Sequence, residues 1–328
     1  TGEQVPSGKL ADTWPKTYTD CASAINFGLQ TDNMDDVYYE EGIYVGYRYF
    51  DTFSVDPGYP FGFGLSYTTF ETECLGVAAD EEQITVRAKV TNTGTRFAGK
   101  EVVEIYVSAP DGKLEKPYQE LKAYGKTSLL APGASEELAI TFPTASLASY
   151  SEEDAAWILE AGEYYLRAGN CSRDTRIVAK LVLDQEVVTW KLRNLFADPE
   201  PKPVITKAGA KPITYLDEAA EKRFAPEIRL SAEKFVPETA AYPEPVELVD
   251  THPDVTITAQ DVLAGKYTLK ELVAQLSVEE MAAFTTGNCK GLREFFQAAS
   301  NFRVPGAAAQ TTDICLENRD IREWACSD

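Results

Sequence analysis

Histidine, the most common base in nucleophile–base pairs, is scarce in this sequence. The chain contains one histidine, His252, which stands directly before a proline. A serine or cysteine nucleophile usually needs a histidine to activate it. The sequence therefore does not predict a hydrolase triad.

The cysteines also lack the spacing that a metal or redox site would require. Zinc and redox sites place two cysteines a few residues apart, and no such pair occurs here. We predict free thiols in a reducing compartment, a cytoplasmic location, and neither metal nor cofactor; a disulfide between distant members is the alternative. The six residues are Cys21, Cys74, Cys171, Cys289, Cys315 and Cys326.

Acidic clusters could supply the paired carboxylates of acid–base catalysis. They begin at Asp80, Glu136 and Glu152, where turn-like surroundings offer no apolar pocket that would raise a carboxyl pKa. We interpret them as solvated faces or caps. A G-x-G pattern at Gly62 is followed by Tyr67 where a dinucleotide-binding loop would have its third glycine, so no nucleotide site is predicted.

The charge balance limits the possible partners. Thirty-one basic residues against 52 acidic ones leave a net charge of −21, which would repel nucleic acid and anionic membrane. No apolar run is long enough to span a bilayer, and the chain starts without the pattern of a secretory signal. At 328 residues, two or three compact soluble units are expected.

Period-two alternation defines the second quarter of the chain. "QITVRAKVTNTG" alternates apolar and polar residues, and so do "EVVEIYVSAP", "EELAITFP" and "RIVAKLVLD". Turn signals separate these segments, while amphipathic helices are lacking. They predict an antiparallel two-sheet sandwich over residues 68–190, with "SEEDAAWILEAG" as an excursion between strands.

Beyond the sandwich the composition changes twice. Residues 191–255 are proline-rich and predict an extended connector along a domain surface. Residues 256–328 predict helices, because Thr268 with Glu271 and Ser277 with Glu280 match the capping-box spacing. The apolar residues expected to anchor the connector are Ile213, Tyr215, Leu216, Phe224, Phe235 and Tyr242.

Three strings near the start are more specific than any of these patterns. "PSGKLADTWP", "YYEEGIYVGYRYFDT" and "YPFGFGLSYTTFE" occur in that order before the predicted sandwich. Together they closely resemble glycoside hydrolase family 3, the β-glucosidase-like enzymes. Later strings, such as "YTLKELVAQLSVEEMAAFTTGN" and "FRVPGAAAQTTD", resemble the beginning of that family's barrel domain. This order matches a permuted subgroup, in which the barrel follows the other domains.

The resemblance implies a mainly β, multidomain fold. Residues 1–67 would be the C-terminal remnant of an α/β-sandwich domain, and residues 68–190 a fibronectin type III-like (Ig-like) antiparallel β-sandwich. The connector, residues 191–255, would lead to residues 256–328, a helical segment that begins a truncated catalytic barrel. The loop "YPFGFGLSY" (Tyr59–Tyr67) would then be an interdomain joint, with Gly62 and Gly64 allowing a tight path.

The resemblance also implies an activity, hydrolysis of β-linked glucosides or oligosaccharides with retention. That mechanism needs two carboxylates, a nucleophile and an acid/base. In the family these lie downstream and upstream of the strings found here, so the chain is expected to lack both and to be inactive alone, associating with the missing catalytic domains. Asp328 matches an aspartate that contacts sugar hydroxyls in the family's D-G-P-x-G-x-R string. It would bind substrate only in a longer protein.

A non-catalytic β-sandwich module that binds carbohydrate or a protein partner is the alternative function. Exposed aromatic side chains would be its signature. The tyrosines in or beside predicted strands favour cross-strand packing instead. These tyrosines are Tyr106, Tyr118, Tyr124, Tyr164 and Tyr165.

Overall fold

A computed structural model describes residues 4–27, 38–195, 204–242, 249, 251–278 and 281, and the backbone of 309–310 and 325–326. The chain forms two compact units, Thr1–Ala241 and Tyr242–Asp328. Within the described ranges, no helix has the length and apolar character needed to cross a bilayer.

Strands dominate the first unit, which confirms the mainly β fold class. Short 3-10 helices lie at Tyr18–Asp20, Thr144–Leu147 and Ala232–Lys234, and the two α-helices are α1 (Tyr47–Thr52) and α2 (Glu218–Phe224). The strands are β1 (Phe70–Ala79), β2 (Gln83–Asn92), β3 (Val102–Ser108), β4 (Glu120–Lys126), β5 (Ser135–Pro143), β6 (Ser149–Ser151), β7 (Ala156–Leu159), β8 (Gly162–Cys171), β9 (Asp174–Leu183), β10 (Val187–Lys191), β11 (Glu227–Leu230) and β12 (Glu238–Thr239).

Three sheets form the described part of this unit. Their strand orders are β1-β2-β5, β11-β9-β8-β3-β4 and β12-β10-β7-β6. The first two share one apolar cluster, to which the four predicted strands all contribute. The expectation of two sheets was too simple, because the excursion after β5 forms the β6–β7 hairpin and this hairpin pairs with β10.

Strand β2 shows the predicted alternation of buried and more exposed residues, but strand β3 does not. In β2, Ile84, Val86, Ala88 and Val90 are buried and alternate with more exposed side chains. All seven residues of β3 are buried. Its odd-numbered residues face the core cluster. Residues of the N-terminal segment near Tyr47 and Gly62 cover the other face.

The connector contributes regular structure to the first unit. Strand β11 pairs in parallel with β9, and β12 pairs in parallel with β10. Phe235 packs against the core cluster, as predicted. The expectation was wrong for Leu216 and Phe224, which are 97% and 74% exposed. Glu218, a charged residue between them, is buried instead.

Two short helices, α3 (Ala259–Leu263) and α4 (Leu269–Ala274), lie in the second unit. The capping box predicted at Thr268 is confirmed: Thr268 Oγ1 accepts a hydrogen bond from the Glu271 amide at 3.3 Å, and a Glu271 carboxylate oxygen accepts one from the Thr268 amide at 2.6 Å. Thr258 and Asp261 form a similar box on α3. The Ser277–Glu280 box involves Glu280, which lies outside the described residues.

Candidate functional site

Helix α1 places a buried carboxylate between three segments of the first unit. Asp51 is 1% exposed. Its Oδ1 accepts a hydrogen bond from Arg173 Nε at 2.6 Å, and its Oδ2 accepts one from Gln119 Nε2 at 3.0 Å. Arg173 lies in the turn between β8 and β9, and Gln119 directly precedes β4. The carboxylate therefore joins the N-terminal segment to two parts of the sandwich.

The environment of Asp51 changes its acidity. Burial raises the pKa of Asp51 to about 6, even though the charge of Arg173 and the hydrogen bonds from Gln119 and Arg173 act in the opposite direction. A carboxyl group with such a pKa suits a general acid, but a general acid must also reach its substrate. Both Asp51 oxygens are occupied and the side chain is enclosed. The geometry therefore supports a structural role.

The loop Tyr59–Tyr67 lies directly on strand β3. The Gly62 amide donates to the Leu10 carbonyl at 2.8 Å, and the Ser172 amide donates to the Phe61 carbonyl at 2.9 Å. Gly62 has a φ of +80°, and a Cβ atom there would lie 2.5 Å from Glu104 Oε2. Only glycine combines this backbone conformation with this close approach.

Aromatic side chains complete the cover over the same face of β3. The ring centroids of Tyr47 and Phe61 are 5.0 Å apart, and those of Tyr47 and Tyr106 are 5.7 Å apart. The Tyr106 hydroxyl donates to Glu104 Oε2 at 2.5 Å. Burial raises the pKa of both Glu104 and Tyr106. This enclosed pair is the second carboxylate site with a raised pKa, and it too is covered by protein.

A cavity of about 650 Å³ lies where the connector meets the sandwich. Arg167 is fully buried in its wall and donates to Ser108 Oγ at 2.8 Å and to Glu218 Oε1 at 2.7 Å. The guanidinium carbon lies 4.7 Å from the centroid of the Tyr118 ring. Arg167 therefore combines an ion pair with a cation–π contact.

The Glu218 carboxylate accepts hydrogen bonds from several side chains that line the same cavity. Thr214 Oγ1 donates to it at 2.8 Å, Tyr118 at 3.0 Å, and Lys222 Nζ lies 2.9 Å away. Burial alone would raise the pKa of Glu218, but the hydrogen bonds from Lys222 and Arg167 outweigh burial and lower it to about 2. The carboxylate stays ionised and holds helix α2 against β8.

A second depression, the aromatic groove, has a volume of about 600 Å³. Trp157 on β7 and Trp190 on β10 are direct register partners, and both line the groove. Their side chains are 38% and 42% exposed. Tyr150, on β6, is the register partner of Trp157, and Glu238, on β12, is the register partner of Trp190. The four side chains occupy one row across the sheet.

Comparison with known proteins shows which proteins this chain resembles. Residues 101–172 match the fibronectin type III-like domain. A β-glucosidase of Ruminococcus albus is 36% identical over 341 residues, which cover 100% of this chain and 32% of that protein. This chain is similar to part of the β-glucosidases of glycoside hydrolase family 3.

Two solved structures of the family are similar to this chain. A β-glucosidase from Paenibacillus barengoltzii superposes with a TM-score of 0.60 at 33% identity, over 94% of this chain and 33% of that one. β-Glucosidase 3B from Thermotoga neapolitana, in complex with glucose, has a TM-score of 0.54 at 49% identity over 57% of this chain and 26% of that one. The chain thus spans about a third of the length of the relatives compared.

The sequence-based site predictions have different outcomes in the structure. Asp328 lies outside the described residues. Asp80 accepts backbone hydrogen bonds from Glu82 and Gln83, which lower its pKa and confirm the interpretation of that cluster as a cap. Glu136 accepts hydrogen bonds from the amide and the hydroxyl of Ser128. Within the described ranges, no group of three or more His, Cys, Asp or Glu residues could hold a metal ion.

The single histidine and the described cysteines do not form a catalytic pair. His252 Nε2 lies 2.7 Å from Glu271 Oε1, beside the capping box of α4. Cys21, Cys74 and Cys171 are free thiols, and burial raises the pKa of each. This makes their thiolates harder to form and argues against a nucleophilic role for these three residues.

Sequence reasoning missed two features of the site region. The Arg167–Glu218 pair joins residues 51 positions apart, and no local pattern signals such a partner. The aromatic groove was detectable in part, because Trp157 lies in a short apolar run, Ala156–Leu159, that favours a strand over an excursion. Of the tyrosines assigned to packing, Tyr106 and Tyr164 are buried, whereas Tyr124 is 69% exposed.

Proposed function

We propose that this chain is the part of a retaining β-glucosidase that carries the fibronectin type III-like domain and its joint with the preceding α/β-sandwich domain. The substrate class is β-linked glucosides or oligosaccharides. The names of the relatives support this proposal, since those compared above are β-glucosidases. The alignment with the Ruminococcus albus protein, which runs through the whole chain, supports the permuted domain order.

The catalytic carboxylates are proposed to come from other parts of the protein. Retaining glycosidases need two carboxylates that face a common substrate. The two described carboxylates with a raised pKa, Asp51 and Glu104, are each enclosed between the N-terminal segment and the sandwich. Neither can reach a sugar. Asp328 would contact sugar hydroxyls in the longer protein.

The observation that carries the proposed role is the contact of Asp51 with Arg173 and Gln119. It joins helix α1 to the turn after β8 and to the start of β4. Gly62 and Glu104 add a second close contact. Separating a buried ion pair leaves its charges unpaired, and shifting a closely packed glycine loop creates a clash. Both contacts therefore resist displacement. The joint would hold the acid/base-bearing domain in a fixed orientation.

Activity measurements test the proposal. The 328-residue chain and a longer protein containing it are each incubated with an aryl β-glucoside, and the anomer released first is identified by NMR. We expect turnover with retention from the longer protein and no turnover above blank from the chain alone. Sustained turnover by the chain, abolished by changing one of its own carboxylates, would contradict the proposal.

A further inference from the structure

The aromatic groove is an outward-facing platform with no role in the proposed hydrolysis. Trp157 and Trp190 are register partners on the neighbouring strands β7 and β10. Neighbouring strands of a sheet lie about 4.8 Å apart. The alternate positions Ala156, Ile158 and Thr189 are buried, so the two indoles lie on the outer side of the sheet. Each keeps about two-fifths of its surface open to solvent.

The platform is held in place from both ends. Tyr150 packs against Trp157 with ring centroids 5.6 Å apart, and the Tyr150 hydroxyl donates to Asn194 Oδ1 at 2.5 Å. The Thr189 hydroxyl donates to the Trp157 carbonyl at 3.1 Å, next to the bulge that precedes Trp190. Preorganised aromatic side chains lose little conformational entropy when a ligand covers them.

The polar lining of the groove adds acceptors. Glu82 and Glu238 are exposed, and both line the groove near the indoles. Glu81, which also lines it, accepts a hydrogen bond from the Ser231 amide at 2.8 Å. Among the described lining residues, Lys234 is the single basic one, against these three carboxylates. The groove is therefore acidic, in a chain with a net charge of −21.

We propose that the aromatic groove binds a neutral saccharide, separately from any catalytic site. The C–H face of a pyranose ring is apolar and stacks on an indole, and adjacent indoles can support consecutive rings. Its hydroxyls are donors, and the exposed carboxylates are strong acceptors for them. An acidic lining repels uronates and sulfated sugars, which selects a neutral ligand. This site is independent of the proposed hydrolysis.

Titration of the 328-residue chain with cellotetraose tests this site, followed by calorimetry and by tryptophan fluorescence. We expect saturable binding, and no binding of tetragalacturonic acid under the same conditions. Trp157→Ala and Trp190→Ala should each weaken cellotetraose binding about tenfold, the order expected for loss of one aromatic contact. Trp190→Tyr should retain part of the affinity, because it keeps an aromatic face.

Tyr124→Ala is the matched control, because Tyr124 is an exposed aromatic residue on β4, outside the groove. It should leave the affinity unchanged. Thermal unfolding of each variant separates loss of binding from loss of fold. The proposal is overturned if cellotetraose gives no saturable signal, if the two tryptophan variants bind as well as the original chain, or if tetragalacturonic acid binds equally well. Saturable binding by a longer protein alone, unaffected by the tryptophan variants, would also overturn it.

Discussion

Arg167 Nη2 lies 2.7 Å from Glu218 Oε1, and both side chains are almost completely buried. This pair joins strand β8 of the sandwich to helix α2 of the connector. The connector is thus attached at this point by a charge pair, while the neighbouring apolar residues Leu216 and Phe224 face solvent. The position of the pair has direct consequences for stability.

Replacing Glu218 by alanine is expected to destabilise the chain by about 3–5 kcal/mol, because it leaves the Arg167 charge buried and uncompensated. Denaturant unfolding measures this change. Glu137→Ala is the matched control: its partner Arg87 is 2.9 Å away, but both side chains are more than half exposed, so about 1 kcal/mol or less is expected. Equal effects of the two substitutions would contradict the prediction.

The same variant has a defined pH dependence. The pKa of Glu218 is lowered to about 2 in the folded chain from an ordinary value of 4.5. A carboxyl with a lowered folded-state pKa contributes stability above its unfolded pKa and loses that contribution as the pH falls through the folded value. The stability difference between the original chain and Glu218→Ala should persist from neutral pH to about 4.5 and shrink towards pH 2.

Asp51 is expected to give the opposite pH dependence. Its folded-state pKa is raised from 3.8 to about 6, so the folded chain binds a proton more readily than the unfolded chain. The resulting stability is fully present below pH 3.8 and is lost as the pH rises through about 6, with a total on the order of 3 kcal/mol. Denaturant unfolding across this range should show a decline for the original chain relative to Asp51→Asn, which does not titrate. A rising difference would contradict the assigned pKa.

Gly62→Ala is expected to destabilise the chain more than Gly133→Ala, the same substitution at a glycine of similar backbone conformation. Gly62 and Gly133 have φ angles of +80° and +77°, but a Cβ at Gly62 would meet Glu104 at 2.5 Å and the Cys171 backbone at 2.8 Å, whereas nothing lies within 4 Å at Gly133. Gly133→Ala should cost about 1 kcal/mol for the backbone alone. Gly62→Ala should cost about 2 kcal/mol more, from the overpacking. Thermal and denaturant unfolding compare the two, and equal costs would show that the loop does not press on β3.

Thr268→Ala should weaken the start of helix α4. It removes the hydroxyl that accepts the Glu271 amide, and loss of a threonine N-cap costs about 1 kcal/mol. Hydrogen exchange of the amides in residues 269–274 should become faster. Thr268→Ser keeps the hydroxyl and should preserve the protection, and Thr258→Ala should affect α3 instead. Unchanged exchange in the alanine variant would exclude a stabilising cap.

Local signals in the sequence were reliable where one segment determines its own environment. The period of two in "QITVRAKV" predicted the buried face of β2, and the Thr268–Glu271 spacing predicted the cap of α4. Both depend on side chains and backbone groups within a few residues. The early strings indicated the resemblance to family 3 β-glucosidases for the same reason, since they are continuous in the chain.

Predictions failed where a distant segment changes the environment. Strand β3 has an alternating sequence, yet both its faces are buried because residues near Tyr47 and Gly62 cover Glu104 and Tyr106. The apolar residues Leu216 and Phe224 were expected to be anchors, but the contact of their helix with β8 uses Glu218. No period or spacing reports which distant residue will supply a partner.

The sequence by itself determined the mainly β class, four strands of the sandwich, one helix cap and the resemblance to family 3 β-glucosidases, because each is encoded in consecutive residues. Only the tertiary structure decided which charged groups are buried together and which aromatic faces remain open. Asp51 meets Arg173 across 122 positions, and Trp157 lies opposite Trp190 on the paired strands β7 and β10. Such contacts depend on how separate segments pack, and desolvation then sets whether a side chain is a structural link or an accessible surface.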